Sequence, residues 1–293
     1  MIKNKIKAFA DEFEGWISEL LPEKKCEYSL VQDAMRYSIA DGGKRLRPFL
    51  IKSFYEAAGG CDKSYKQFAL AIECIHSYSL VHDDLPCMDN DDMRRGKPSC
   101  HKKFGEEYAL LAGDGLLTLA FSAAAKTENI PASRVISASA LLADLAGVDG
   151  MVGGQTVDLL WEEKSDVTTE ILTLICSLKT GALIKASCLI GATLAGADDK
   201  MLKAAEEYAE NLGLAFQIVD DILDIVGEEN KLGKPINSDA ENGKSTFVSL
   251  FGIEKCKEMV NEFTKKAKDA LSVYGDGAND LILLADYLCK RDY

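Results

Sequence analysis

Proline is scarce: six residues in a chain of 293, with none between Pro131 and Pro235. Proline breaks helix interiors, so its absence over that stretch permits many consecutive helices. Nowhere is a period-2 alternation bounded by hairpin turns sustained, which argues against a sheet. The nine cysteines include no CxxC pair, so a structural zinc site is not expected. Their odd number, with no export signal at the start of the sequence, predicts free thiols, a reducing compartment and a cytoplasmic location. No apolar run reaches the ~18 residues of a spanning helix, so no membrane span is expected. Positive charge is outnumbered, 34 Lys+Arg against 47 Asp+Glu, for a net charge of −13. Non-specific nucleic-acid binding needs a basic surface, and no nucleic-acid partner is expected here.

What is abundant is helix-forming. Hydrophobic residues make up 47% of the chain, enough for a large core. Ala, Leu, Glu and Lys dominate. In residues 201–226, Leu202, Ala205, Leu212, Phe216, Val219 and Leu223 recur at spacings of three, four and seven, the helix period. The breaks are short: residues 41–43, Gly59-Gly60, a polar loop over 89–99, and the longest irregular segment over 227–243. No linker divides the chain and no solenoid repeat appears. The expectation is one all-α domain over residues 1–293, with about ten or more helices.

Three clusters carry chemistry. Asp83, Asp84, Asp89, Asp91 and Asp92 fall within ten residues, and Arg94, Arg95 and Lys97 follow at once. A solvated charge-rich loop is the plain alternative. The cluster, however, follows directly on the apolar-rich residues 68–81, so its first members project from the end of a buried element. Carboxylates hold Mg²⁺, which keeps some waters and takes further ligands from phosphate. Arginines grip phosphate oxygens bidentately. In the second cluster, over 216–224, Gln217, Asp220 and Asp224 share one helix face, with Asp221 beside them. The rest of that helix is apolar, and buried unpaired charge is costly, so the stripe calls for cations. The third is residues 42–48, GGKRLRP, where Lys44, Arg45 and Arg47 follow a glycine pair and suit an anion. His76 lies seven residues before Asp83 on the same face; Lys179-Thr180-Gly181, Gly153-Gly154-Gln155 with Asp158, and Lys234 and Lys244 are smaller polar features. Together they equip apolar helices to bind two diphosphates through Mg²⁺ beside a dry hydrocarbon cavity.

The motifs and their order resemble the trans-prenyltransferase family of isoprenyl diphosphate synthases: GGKRLRP (42–48), DDLPCMD (83–89) with Arg94-Arg95, GGQxxD (153–158), KTG (179–181), FQIVDDILD (216–224), Gly233-Lys234 and GKST (243–246). The two-residue insertion in DDLPCMD is similar to that of bacterial farnesyl diphosphate synthases. The resemblance implies an all-α bundle around a deep central cavity, usually a homodimer. It implies Mg²⁺, three ions with substrate bound and Mn²⁺ as a possible substitute. Asp83, Asp89 and Asp220 are the implied metal ligands, with Asp84, Asp221 and Asp224 in the same group. Lys44, Arg47, His76 and Arg95 are implied to hold isopentenyl diphosphate. Arg94, Lys179, Thr180, Gln217, Lys234 and Lys244 are implied to serve the allylic diphosphate; Lys244 lies in the stretch that aligns least cleanly.

The implied reaction joins isopentenyl diphosphate to dimethylallyl or geranyl diphosphate and releases pyrophosphate. Tyr78 and Ser79, five and four residues before Asp83, are the implied chain-length positions. An aromatic at Tyr78 implies the C15 product, farnesyl diphosphate, with C20 geranylgeranyl diphosphate as the alternative. A class I terpene cyclase would carry an Asn/Ser/Glu triad where DDILD stands, and a silent partner subunit would have lost its aspartates.

Overall fold

The first helix, α1 (Ile2–Leu20), shows the rule by which the chain folds: Ile6, Phe9, Phe13 and Trp16 recur every three or four residues and all are buried. The computed structural model describes residues 2–40, 42–162, 164, 166–226 and 245–289. After α1 come α2 (Ser29–Ile39), α3 (Leu46–Ala57), α4 (Lys66–Asp83), α5 (Cys100–Phe104), α6 (Glu106–Ala124), α7 (Ala132–Ala146) and α8 (Met151–Trp161). Then follow α9 (Thr169–Ile175), α10 (Ala182–Ala195), α11 (Asp199–Val226), α12 (Phe247–Phe251), α13 (Ile253–Ala270) and α14 (Asn279–Cys289). The fold is all-α, as expected.

The chain forms two compact units, one of residues 3–52 and 62–135, the other of residues 53–61 and the chain from Ile136 onward. In the first unit, α4 is buried on nearly every side and lies along α6. Small residues on α6 permit this. A Cβ on Gly113 would stand 2.0 Å from the His82 ring, so glycine is what leaves room for that ring against α6. Phe9 meets Phe49 of α3 edge-on at 5.6 Å. Each such fully buried ring contributes about 1.5–3 kcal/mol.

In the second unit, the 28-residue α11 is the central element, packed against α10 and α13. Its Tyr208 is fully buried, stacks edge-on with Phe54 at 5.4 Å, and donates to the Leu281 carbonyl at 2.9 Å. Between α9 and α10 the helix widens into a single π turn, Cys176–Gly181. Such turns insert one extra residue and re-aim the side chains that follow.

One expectation needs correcting. Residues 93–98 are a small antiparallel hairpin, with Met93 paired to Pro98 and Arg94 to Lys97, where the sequence reading has only loop. Arg95 and Gly96 take φ of 51° and 75°, the left-handed pair that a two-residue hairpin turn requires. Two helical stretches, Ala132–Trp161 and Thr169–Ala195, are by length and composition long and apolar enough to cross a membrane, with mean hydropathy 1.6 and 1.5. Their leucines, isoleucines, valines and alanines raise the average, while interspersed polar residues break up any continuous apolar run. The second stretch is 61% buried inside the protein, as a core helix is.

Candidate active site

In the first unit, α4 ends at Asp83 and the chain then curls tightly. The Asp89 amide donates to the Asp83 carbonyl at 2.8 Å, and the amides of Met88 and Asn90 donate to the Leu85 carbonyl. The insertion in DDLPCMD therefore folds back and returns Asp89 to Asp83. Asp84 turns inward and is buried. Arg94, at the start of the hairpin, grips it with Nε at 2.8 and 2.9 Å from the two oxygens and Nη2 at 2.6 Å from Oδ1. Burial raises the Asp84 carboxyl above the usual range, and Arg94 opposes that rise. The residue implied for the allylic diphosphate is thus engaged by one implied for metal.

The basic loop before α3 is built on left-handed backbone: Gly42, Gly43 and Arg45 have φ of 76°, 111° and 46°. From the hairpin turn, Arg95 donates to the Gly42 carbonyl at 2.7 Å. A Cβ on Gly43 would sit 3.1 Å from the Arg95 guanidinium, which lies flat on this glycine. Arg47 follows in the first turn of α3, and its Nε is buried with no hydrogen-bond partner. Burial lowers its pKa, with Arg95 adding to the effect and Glu73 opposing it. His76, half-buried on α4, is pushed well below its ordinary value by burial and then by Arg47, Arg95, Arg94 and Arg45. Arg45 and Arg94 are paired with carboxylates, so the case for an anion beside His76 rests on Arg47 and Arg95. Lys44 lies exposed in the same loop.

Tyr78, five residues before Asp83 on α4, is buried and packs edge-on against the His82 ring at 5.7 Å. Burial, then Asp83, raises its phenol, so it carries no charge near neutral pH. Ser79 Oγ donates to the His76 carbonyl at 2.9 Å.

In the second unit a cavity of about 200 Å³ is lined by Asp158, Lys179, Thr180, Gln217 and Asp221, with Trp161 and Cys176 on its apolar side. The π turn presents Lys179 and Thr180 to it. A Cβ on Gly154 would come within 2.2 Å of the Lys179 amide, so glycine is needed where α8 touches that turn. Lys179 Nζ donates to Asp158 at 2.6 Å. Thr180 Oγ1 lies 3.4 Å from Gln217 Oε1, and Gln217 Nε2 donates to Asp221 Oδ1 at 3.1 Å. The other Asp221 oxygen accepts the Phe247 amide at 2.9 Å, tying α11 to the start of α12. Asp221 and Asp224 are buried and Asp220 is half-buried. Lys234 and Lys244 lie outside the described residues.

Among the described residues no three His, Cys, Asp or Glu side chains converge into a ready cation cage. The donor sets are carboxylate oxygens at two helix ends. They suit a hard cation such as Mg²⁺, which is held by one or two carboxylates and completed by substrate phosphate and water. Sequence reasoning did not single out Glu14 and Glu73, the partners of Arg45, nor Asp158 as the partner of Lys179. Only Asp158 had a sequence signal, its place in GGQxxD.

The polyprenyl synthetase family model matches residues 28–274. The chain belongs to the polyprenyl synthetase family. It is 44% identical over 265 residues to a geranylgeranyl diphosphate synthase of Cyanophora paradoxa, covering 90% of this chain and 88% of the relative. It is 43% identical over 268 residues to the farnesyl diphosphate synthase of Escherichia coli, 89% of each chain. The geranyltransferase of Helicobacter pylori, solved with magnesium and isoprenyl diphosphate, superposes with a TM-score of 0.87 at 29% identity, over 99% of this chain and 98% of that one. As a member of this family the protein is a trans-prenyltransferase.

Proposed function

We propose that this prenyltransferase makes (2E,6E)-farnesyl diphosphate, extending dimethylallyl and then geranyl diphosphate with isopentenyl diphosphate, and that the whole chain serves as one catalytic domain. The observation that carries the C15 reading is Tyr78, a buried aromatic five residues before Asp83. Its ring would close the path of the growing tail. The second reading, geranylgeranyl diphosphate synthase, is favoured by the Cyanophora paradoxa relative of that name.

Lys44, Arg47, His76 and Arg95 would bind isopentenyl diphosphate, the buried partnerless Nε of Arg47 being directed to its phosphate. Arg94, Lys179, Thr180 and Gln217, with Lys234 and Lys244, would serve the allylic substrate. Asp83, Asp84, Asp89, Asp220, Asp221 and Asp224 form the acidic groups that would hold Mg²⁺, three ions with substrate bound, or Mn²⁺ in its place. Bound there, the ions neutralise charge developing on the leaving pyrophosphate. Apolar helix walls exclude water and protect the allylic cation from hydrolysis. The Thr180 hydroxyl, the Lys179 carbonyl and Gln217 offer dipoles to that cation. The isopentenyl double bond then attacks it, and the departing pyrophosphate takes the proton lost on elimination.

A homodimer is part of the proposal. Leu110, Leu111 and Phe121 of α6 are large apolar side chains left exposed, as a partner surface requires. The nine cysteines are all free thiols, which suits a reducing, cytoplasmic setting. The test is to incubate the protein with Mg²⁺, isopentenyl diphosphate and dimethylallyl diphosphate, then to measure pyrophosphate and product length after dephosphorylation. A mainly C15 product is expected; mainly C20, a cyclic hydrocarbon or no turnover refutes the assignment.

A further inference from the structure

Arg45 stands between Lys44 and Arg47 in the basic loop, yet its side chain points away from solvent. It is 2% exposed and its backbone is left-handed, at φ 46°. A non-glycine residue keeps that conformation only where its surroundings hold it. Four hydrogen bonds do so. Nε and Nη2 donate to Glu14 Oε1 at 2.9 and 2.6 Å, Nη1 to Glu73 Oε1 at 2.6 Å, and Nη2 to the Ile39 carbonyl at 2.7 Å. The guanidinium also lies over the Phe13 ring, 5.7 Å from its centre. Arg45 thereby joins the end of α2 to α1 and α4, and its own carbonyl accepts the Phe49 amide to open α3.

Glu73 is the telling partner. It is 3% exposed, lies one turn before His76 on α4, and acts electrostatically on Arg47 as well as on Arg45. Without Arg45 this buried carboxylate would have no partner, and the nearby guanidinium of Arg47 is the group it would recruit. We propose that Arg45 is a positioning residue of the isopentenyl diphosphate site: by saturating Glu73 and fixing the strained loop, it keeps Arg47 available to the diphosphate. The inference rests on the reading that Arg47 binds isopentenyl diphosphate.

The test is a steady-state comparison of wild type, Arg45→Met and Arg45→Met/Glu73→Gln, each checked for folding by circular dichroism. Arg45→Met should raise KM for isopentenyl diphosphate about tenfold, the loss of one charge-assisted contact, with kcat and KM for dimethylallyl diphosphate within about twofold. Adding Glu73→Gln removes the competing carboxylate and should return that KM to within about threefold of wild type. A purely structural role predicts no recovery. A double variant no better than the single one, or KM values that rise together for both substrates, overturns the proposal. If Arg45→Met does not fold, Arg45→Lys is compared with and without Glu73→Gln. Lysine lacks the planar fork, so a rise of about threefold is expected, removed again by Glu73→Gln; no such difference overturns the proposal equally. A wild-type protein that does not turn over isopentenyl diphosphate refutes the underlying prenyl-transfer reading instead, and that result is separate from any comparison among variants.

Discussion

Replacing Tyr78 with alanine probes the product-length reading directly. The side chain is 7% exposed, and its ring packs on His82 at 5.7 Å with planes 76° apart. Truncating a buried aromatic of this kind costs about 3–5 kcal/mol of stability, so the variant should melt earlier than wild type but remain folded at assay temperature. The next side chains toward the N-terminus on that face of α4 are Ile75 and Cys74, both fully buried. They lie about 4.5–6 Å farther along the axis. That added depth is comparable to the reach of one extended prenyl unit, so one further condensation should fit. The assay is product chromatography after dephosphorylation, with Tyr78→Phe as the control that keeps the ring. Wild type and Tyr78→Phe should give mainly C15, and Tyr78→Ala mainly C20 or longer. A folded Tyr78→Ala protein that still stops at C15, or a wild type that already makes C20, refutes the reasoning.

Asp83→Ala and Asp220→Ala should each lower turnover by about three orders of magnitude, a loss of several kcal/mol, while the circular dichroism spectrum is unchanged; near-normal rates at saturating Mg²⁺ would remove both from the metal group. Arg47→Ala should raise KM for isopentenyl diphosphate about ten- to a hundredfold and leave that of the allylic substrate nearly untouched, as initial-rate measurements will show. Arg94→Ala should destabilise the protein by about 2–4 kcal/mol at neutral pH because it strands the buried Asp84 carboxylate. The Asp84 carboxyl is already raised in the folded state, so protonation relieves that loss, and denaturant midpoints of variant and wild type should converge as pH falls toward the usual carboxylate range. For His76 the sign is reversed. Its folded pKa is depressed, so its contribution is present above the ordinary value near 6.5 and is lost as pH falls below it; His76→Gln should flatten the stability profile there.

The helices and both acidic motifs were legible because each is local: a 3.6-residue period, or carboxylates placed side by side in sequence. What the sequence hid is non-local. Glu14 and Glu73 lie 31 and 28 residues from Arg45, and single glutamates in an acidic chain carry no signal of their own. The π turn at Cys176–Gly181 was hidden for another reason: Lys179-Thr180-Gly181 marks the spot, but one extra residue per turn leaves no trace in composition. The hairpin of residues 93–98 has strands of only two residues each, too short for any alternation to show, and only Arg95-Gly96 hints at it.

Asp83 is the last residue of α4 and Asp84 is its cap, while Asp220, Asp221 and Asp224 fall in the last two turns of α11. These are the helix ends where the peptide dipoles already accumulate negative potential, so the polypeptide places its carboxylates where they repel most. Arg94 offsets this charge at Asp84, and the Gln217 side chain and the Phe247 amide offset it at Asp221; divalent ions are the further compensation that the proposed sites would supply. If the two clusters hold Mg²⁺ as proposed, folding and metal capture are linked, and the melting temperature should rise with Mg²⁺ concentration even before any substrate is added.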